Sequence, residues 1–188
     1  MPYRNTPKLI FPFNDIRISS SFGDHNFYDG EDWGIHLGVD IDLRADTQVF
    51  SIGKGTVVYS KLHPGETSKS GMLRNWGGIV IIAHRDPIRK KNFYSLYGHL
   101  GKRFVKRGDR VEMGEFLGEI GKTMTESNGL WENEHLHFSI YDGPYHSKVL
   151  PGYYNAEKEN TKLEYWKDPF IFIKNYNSRI SQGRGALK

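Results

Sequence analysis

The chain has 188 residues, of which 37% are hydrophobic and 14% aromatic; this suits one ordinary domain with its own core rather than a disordered segment. Lys and Arg number 26 against 22 Asp and Glu, a net charge of +4 spread along the chain with a modest excess near the C-terminus, which is weak support for nucleic acid or any other anionic partner. Cysteine is absent, so disulfides and thiolate metal sites are excluded and any transition metal must be held by imidazole and carboxylate.

At the N-terminus the apolar run Leu9 to Phe13 is short and interrupted by Pro12, unlike an export signal or a membrane span. Short β-rich runs follow, separated by Gly, Asp and Asn: 38–43, 48–52, 55–61, 78–84, 92–100, 111–113, 117–120 and 136–141. That spacing predicts a mainly β fold, an antiparallel sandwich or partly open barrel. Val57 and Tyr59 alternate with Val58 and Ser60, while Ile79 to Ala83 is continuously apolar and reads as a buried central strand. The glycines at 108, 114, 118 and 121 between two short apolar runs read as a compact hairpin. Biotinyl and lipoyl carriers share that pattern, but Lys122 lacks their flanking context.

Near the C-terminus, Asp168-Pro169 offers an N-cap and a proline at the first helical position, with Phe170, Ile173 and Tyr176 at helical spacing. One short helix is expected there. Residues 178–188 hold two glycines and little apolar content, so a flexible basic tail is expected after a single domain spanning 1–177.

Two local spacings carry chemistry. In His36-Leu37-Gly38-Val39-Asp40, residues of equal parity in an extended chain share a face. His36 and Asp40 therefore converge while Leu37, Val39 and Ile41 turn to the core. In His135-Leu136-His137-Phe138 the same period puts both imidazoles on one face and Leu136 and Phe138 on the other. Taken alone, that pair could be two partly exposed surface histidines. Combined with His36 and Asp40, two imidazoles and one carboxylate suit Zn²⁺ with a fourth position open to water, whose pKa falls from about 15.7 to near 7. A two-histidine, one-carboxylate iron site is the rival metal. Parity does not say which of His135 and His137 would hold the ion.

Three ordered motifs, His36-Leu37-Gly38-Val39-Asp40, Leu96-Tyr97-Gly98-His99-Leu100 and His135-Leu136-His137-Phe138, resemble the lysostaphin-type (LytM-like) zinc endopeptidases, which cut peptidoglycan cross-bridges or stem peptides. Gly53 to Val58 and Gly108 to Val111 extend the resemblance over roughly 20–141. The resemblance implies one zinc per chain held by His36, Asp40 and His137, with His99 and His135 in the site as catalytic groups off the metal. It implies that family's fold, a peptidoglycan peptide as substrate and an extracytoplasmic location; a monomer with no nucleic-acid partner and no transmembrane segment is expected besides. From its own surroundings, His99 reads rather as a half-buried histidine bonded to a main-chain carbonyl, a preference that the resemblance reverses. A non-catalytic cell-wall-binding or hydrolase-regulating module is the rival function, as is a peptidase with a different peptide substrate. All five His and Asp positions are present, which favours activity.

The departure from the family pattern is Thr123 to Glu134, longer and more acidic than the usual turn before the His-x-His motif. Trp131 in it either stacks on substrate or pins the loop. Glu132 and Glu134 have the wrong parity to join the histidines. Asp42 reads as solvent-facing or as a partner to the site. His25 is a candidate substrate contact, and His63, His84 and His146 read as surface or loop residues.

Overall fold

The computed structural model describes residues 8–13, 17–28, 30–63, 75–158 and 161–185. Its strands are β1 (Ile18–Ser20), β2 (His25–Tyr28), β3 (Glu31–His36), β4 (Val39–Asp42), β5 (Gln48–Phe50), β6 (Gly55–His63), β7 (Gly77–Asp86), β8 (Lys91–Gly98), β9 (Leu100–Arg103), β10 (Arg110–Val111), β11 (Phe116–Ile120), β12 (His135–Tyr141), β13 (Tyr153–Tyr154) and β14 (Trp166–Lys167). One helix follows, α1 (Pro169–Gly185). The main sheet runs β1-β4-β12-β8-β7-β6-β10, with β14 pairing the end of β12. Two three-stranded sheets, β5-β11-β9 and β13-β3-β2, complete a mainly β antiparallel fold of the expected kind.

The main sheet is covered on both faces, which is why its central strand is continuously apolar. Val80 and Ile82 of β7, Phe93 and Tyr97 of β8, and Leu136, Phe138 and Ile140 of β12 share one core with Val49, Leu117 and Ile173. Ile79, Ile81, Leu96 and Tyr141 face the other way, into a second core with Leu37, Trp76 and Trp166. Each such Ile, Leu or Val, wholly removed from water, contributes roughly 1.5–3 kcal/mol. His135 and His137 alternate with Leu136 and Phe138, so the first core's residues hold β12 and turn both imidazoles to the opposite face.

The helix begins as expected: Asp168 Oδ1 accepts from the amides of Phe170 and Ile171 at 2.8 and 3.0 Å, an N-cap before Pro169. It does not stop where a tail was expected. The 17-residue helix runs to Gly185, with Ile180 buried one turn beyond Tyr176. Residues 178–185 are thus helical, because Ile180 extends the apolar stripe that docks on the sheet. Only 186–188 of the expected tail lie outside the described residues.

Three local readings change. The glycine-rich segment is no hairpin, since β10 pairs β6 while β11 pairs β5 and β9. The alternation at Val57 to Ser60 is broken by a bulge: Val57 and Tyr59 oppose the consecutive residues Ile82 and Ile81 and enter different cores. His84 is no surface residue but lies buried in β7, with Nδ1 donating to the Lys54 carbonyl at 2.9 Å and Nε2 2.7 Å from the Ser95 hydroxyl.

Candidate metal centre and active site

β4 and β12 are antiparallel neighbours whose register sets Asp40 opposite His137 and Asp42 opposite His135. Directly opposed residues in such a pair project to the same face. His36 arrives differently. It ends β3, which belongs to the β13-β3-β2 sheet, and the chain turns at Leu37-Gly38 before entering the main sheet as β4. The expected single extended run with one shared face is therefore replaced by a corner between two sheets. Leu37 accordingly packs in the second core while Val39 and Ile41 pack in the first.

At that corner His36 Nε2 lies 3.0 Å from His137 Nδ1 and 3.3 Å from Asp40 Oδ1, and His137 Nδ1 lies 2.9 Å from Asp40 Oδ1. All three residues are buried. His36 Nδ1 faces the Ser21 carbonyl at 3.0 Å, an acceptor only, so that nitrogen carries the hydrogen and Nε2 presents a lone pair inward. His137 Nε2 meets Ser139 Oγ at 2.7 Å; when it donates there, its Nδ1 also presents a lone pair inward. Three electron-rich atoms then converge, an arrangement that calls for a cation between them. Ligand atoms at the 2.0–2.1 Å typical of zinc stand about 3.3 Å apart in a tetrahedron. The observed spacings match this closely, so the residues fit the ion. Among the described residues this is the His/Asp group whose ligand atoms all lie within 4.8 Å of one another.

Burial drives Asp40 toward its neutral form, but the neighbouring His36 and His137 prevail and hold its carboxyl well below the usual range, an anion that suits a cation. Burial likewise opposes a charge on His36, yet Asp40, with the Ser21 carbonyl and Asp24, outweighs it and raises the imidazole above its ordinary value. Burial pushes His137 down to about 4.

His99 stands between β8 and β9 in left-handed conformation, φ 63°, which is uncommon for a residue with a side chain. Its Nδ1 donates to the Asn128 carbonyl at 3.0 Å, so the hydrogen bond expected of an ordinary buried histidine is present. The ring nevertheless lines the cleft, with its centroid 4.3 Å from that of His135. Burial, then the neighbouring His135 and His137, depress its pKa well below the ordinary value, leaving it neutral with Nε2 unprotonated. His135 Nδ1 donates to the Asn133 carbonyl at 3.3 Å.

All these side chains except His36 line a cleft of about 220 Å³, walled by Trp33, Trp76, Trp131 and Tyr153. Trp131 both pins its loop, through Nε1 to the Asn75 carbonyl at 3.0 Å, and presents its ring beside His99 and His135. Glu134 turns from the cleft to the amides of Ala45 and Thr123. His25 pairs with Asp32 at 2.7 Å outside the cleft lining, and His63 pairs with the Tyr59 hydroxyl. Asp42 is partly exposed and His146 exposed. Ser139 and Tyr153 were not singled out in the sequence. Ser139 was legible as the next residue of equal parity after His135 and His137, whereas Tyr153 reaches His36 only through β13–β3 pairing.

Residues 34–149 match the model of peptidase family M23. The lipoprotein NlpD/LppB homolog of Pseudomonas aeruginosa is 32% identical over 56% of this chain and 29% of its own length. The peptidoglycan DD-endopeptidase ShyA of Vibrio cholerae is 30% identical over 56% of this chain and 20% of its own length. The chain thus spans less than a third of these curated relatives. The catalytic domain of lysostaphin from Staphylococcus simulans shares the fold, with a TM-score of 0.52 at 23% identity over 85% of this chain and 92% of that one. With more than half of its length matched by the family model, this chain belongs to peptidase family M23.

Proposed function

We propose that the chain is a zinc-dependent metalloendopeptidase that hydrolyses peptide bonds in bacterial peptidoglycan, in cross-links or stem peptides, from an extracytoplasmic location and as a monomer. The observation that carries this reading is the convergence of His36 Nε2, Asp40 Oδ1 and His137 Nδ1 within 3.3 Å of one another, beside two further imidazoles in one cleft. His36, Asp40 and His137 hold the ion, and two imidazoles with one carboxylate leave a position open as a catalytic zinc requires. When bound, zinc supplies Lewis-acid polarisation of a carbonyl and a lowered pKa for water.

The remaining steps fall to the chain's own groups. His99, neutral and with a lone pair on Nε2, takes the proton from the attacking water. His135, with its ring beside that of His99 and a lone pair on Nε2, takes that proton on from His99, and the imidazolium so formed donates a hydrogen bond to the oxyanion and delivers the proton to the leaving amine. Trp33, Trp131 and Tyr153 exclude water and hold the substrate backbone against these groups.

The test is incubation of purified protein with peptidoglycan sacculi, with and without chelator, and identification of released fragments by mass spectrometry, with His137→Ala as control. Chelator-sensitive release of peptide fragments is expected. Intact sacculi with zinc-loaded wild type would overturn the substrate, and retention of one zinc per inactive chain would point to a binding role.

A further inference from the structure

The unusual loop before β12 returns to the site through one side chain. Asn128, fully buried, ends a short 3-10 turn (Glu126–Asn128). Its Nδ2 donates to the carbonyls of Gly121 and Asn133, both at 3.3 Å, and so ties the beginning of the loop to its end. Its own carbonyl accepts from His99 Nδ1, and the Gly121 amide donates to the His99 carbonyl at 2.8 Å. His99, Asn128 and Gly121 therefore close a ring of hydrogen bonds. The Asn133 carbonyl held by Asn128 is also the one that accepts from His135 Nδ1.

Asn128 thus supplies the main-chain carbonyl that orients His99 and, through its side-chain amide, steadies the carbonyl that orients His135. A carbonyl only accepts, so each ring is kept with hydrogen on Nδ1 and the lone pair on Nε2. The amide's orientation follows from the same chemistry, since only its NH₂ can meet two carbonyls. Its Oδ1 is left buried without a hydrogen-bond partner. An orphaned buried acceptor costs stability, so the residue's value lies in the two donors rather than in packing.

We propose that Asn128 is a positioning residue that sets the tautomer and ring orientation of His99 and His135 together. This rests on the reading of those two histidines as the proton-handling pair. The Glu126–Asn128 turn, packed on β7 and β9, is the platform that carries the amide.

The test compares wild type with Asn128→Leu, which fills the space without donors, and Asn128→Ala. Long-range ¹⁵N–¹H spectra of the histidine rings, recorded without substrate, should show His99 and His135 as single Nδ1–H tautomers in wild type and as mixtures in both variants. Zinc content should stay at the wild-type level, with kcat lower by about 100-fold and KM within about twofold, the loss expected for groups displaced by about 1 Å. Unchanged tautomers and kcat in Asn128→Leu would overturn the proposal. So would Nε2–H tautomers in wild type, a result independent of whether either variant folds. Loss of zinc in both variants would also overturn it, by assigning Asn128 to the metal site instead. Wild type that leaves sacculi intact refutes the proposed activity, whereas the ring spectra still decide the role of Asn128.

Discussion

Gly38 runs so close to Ser139 that a Cβ built on it would stand 2.5 Å from the serine hydroxyl, and 2.6 Å from His137 Nε2. The corner that brings His36 to the main sheet passes directly over the hydrogen bond that orients His137. Gly38→Ala is expected to displace both, lowering stability by about 1–3 kcal/mol through overpacking and reducing zinc content. Urea unfolding and metal analysis of the purified variant measure the two effects.

Ser139→Ala removes the same hydrogen bond without crowding. Zinc affinity should fall about 10- to 100-fold with the fold retained, as when the partner of a ligating histidine is removed. A chelator competition titration checks this, and an unchanged affinity would mean that Ser139 does not orient the ring.

His36 and His99 should separate cleanly. His36→Ala is expected to lose zinc and activity together. His99→Ala should keep zinc and lose about 10²- to 10⁴-fold in kcat, the usual contribution of a general base. If His99→Ala sheds metal as readily as His36→Ala, His99 belongs among the ligands.

Zinc affinity should also depend on pH through His36, whose pKa Asp40 raises above the ordinary 6.5 despite the opposing effect of burial. The proton and the ion compete for Nε2. Affinity should be level above that raised pKa and fall about tenfold per pH unit below it, one proton being displaced per ion. Isothermal titration across that range, at constant ionic strength, would show the slope.

Stability should carry a separate signature from His84, which burial pushes from 6.5 to about 4. Between those values the unfolded chain binds a proton that the folded chain refuses. Stability therefore falls as pH drops from 6.5 to about 4 and loses nothing further from this group below that, a total of about 3 kcal/mol. Urea denaturation of wild type and His84→Gln over this interval should give a shallower pH dependence in the variant.

Much of the site could be read without coordinates, and the exceptions are instructive. The His-x-His strand, the buried run at Ile79 to Ala83 and the Asp168 cap all follow from local periodicity and hydrogen-bond chemistry, and all three stand as expected. The hairpin at 108–121 failed because turn residues do not reveal which strand pairs with which, and β10 and β11 found partners elsewhere. His84 was misread because a polar residue inside an apolar strand is satisfied only by a carbonyl and a hydroxyl remote in sequence.

The amino-acid sequence by itself limited the donors for a transition metal to imidazole and carboxylate, in a chain without thiols, and fixed the face on which β12 shows His135 and His137. Those properties are local, since the pleat of a strand fixes where each side chain points. Only the tertiary structure decided that Asp40 stands opposite His137, that His36 arrives from a different sheet, and that Asn128 stands behind both His99 and His135. Register and the meeting of sheets are set by burial of apolar surface between residues far apart in the chain, and no short spacing encodes them.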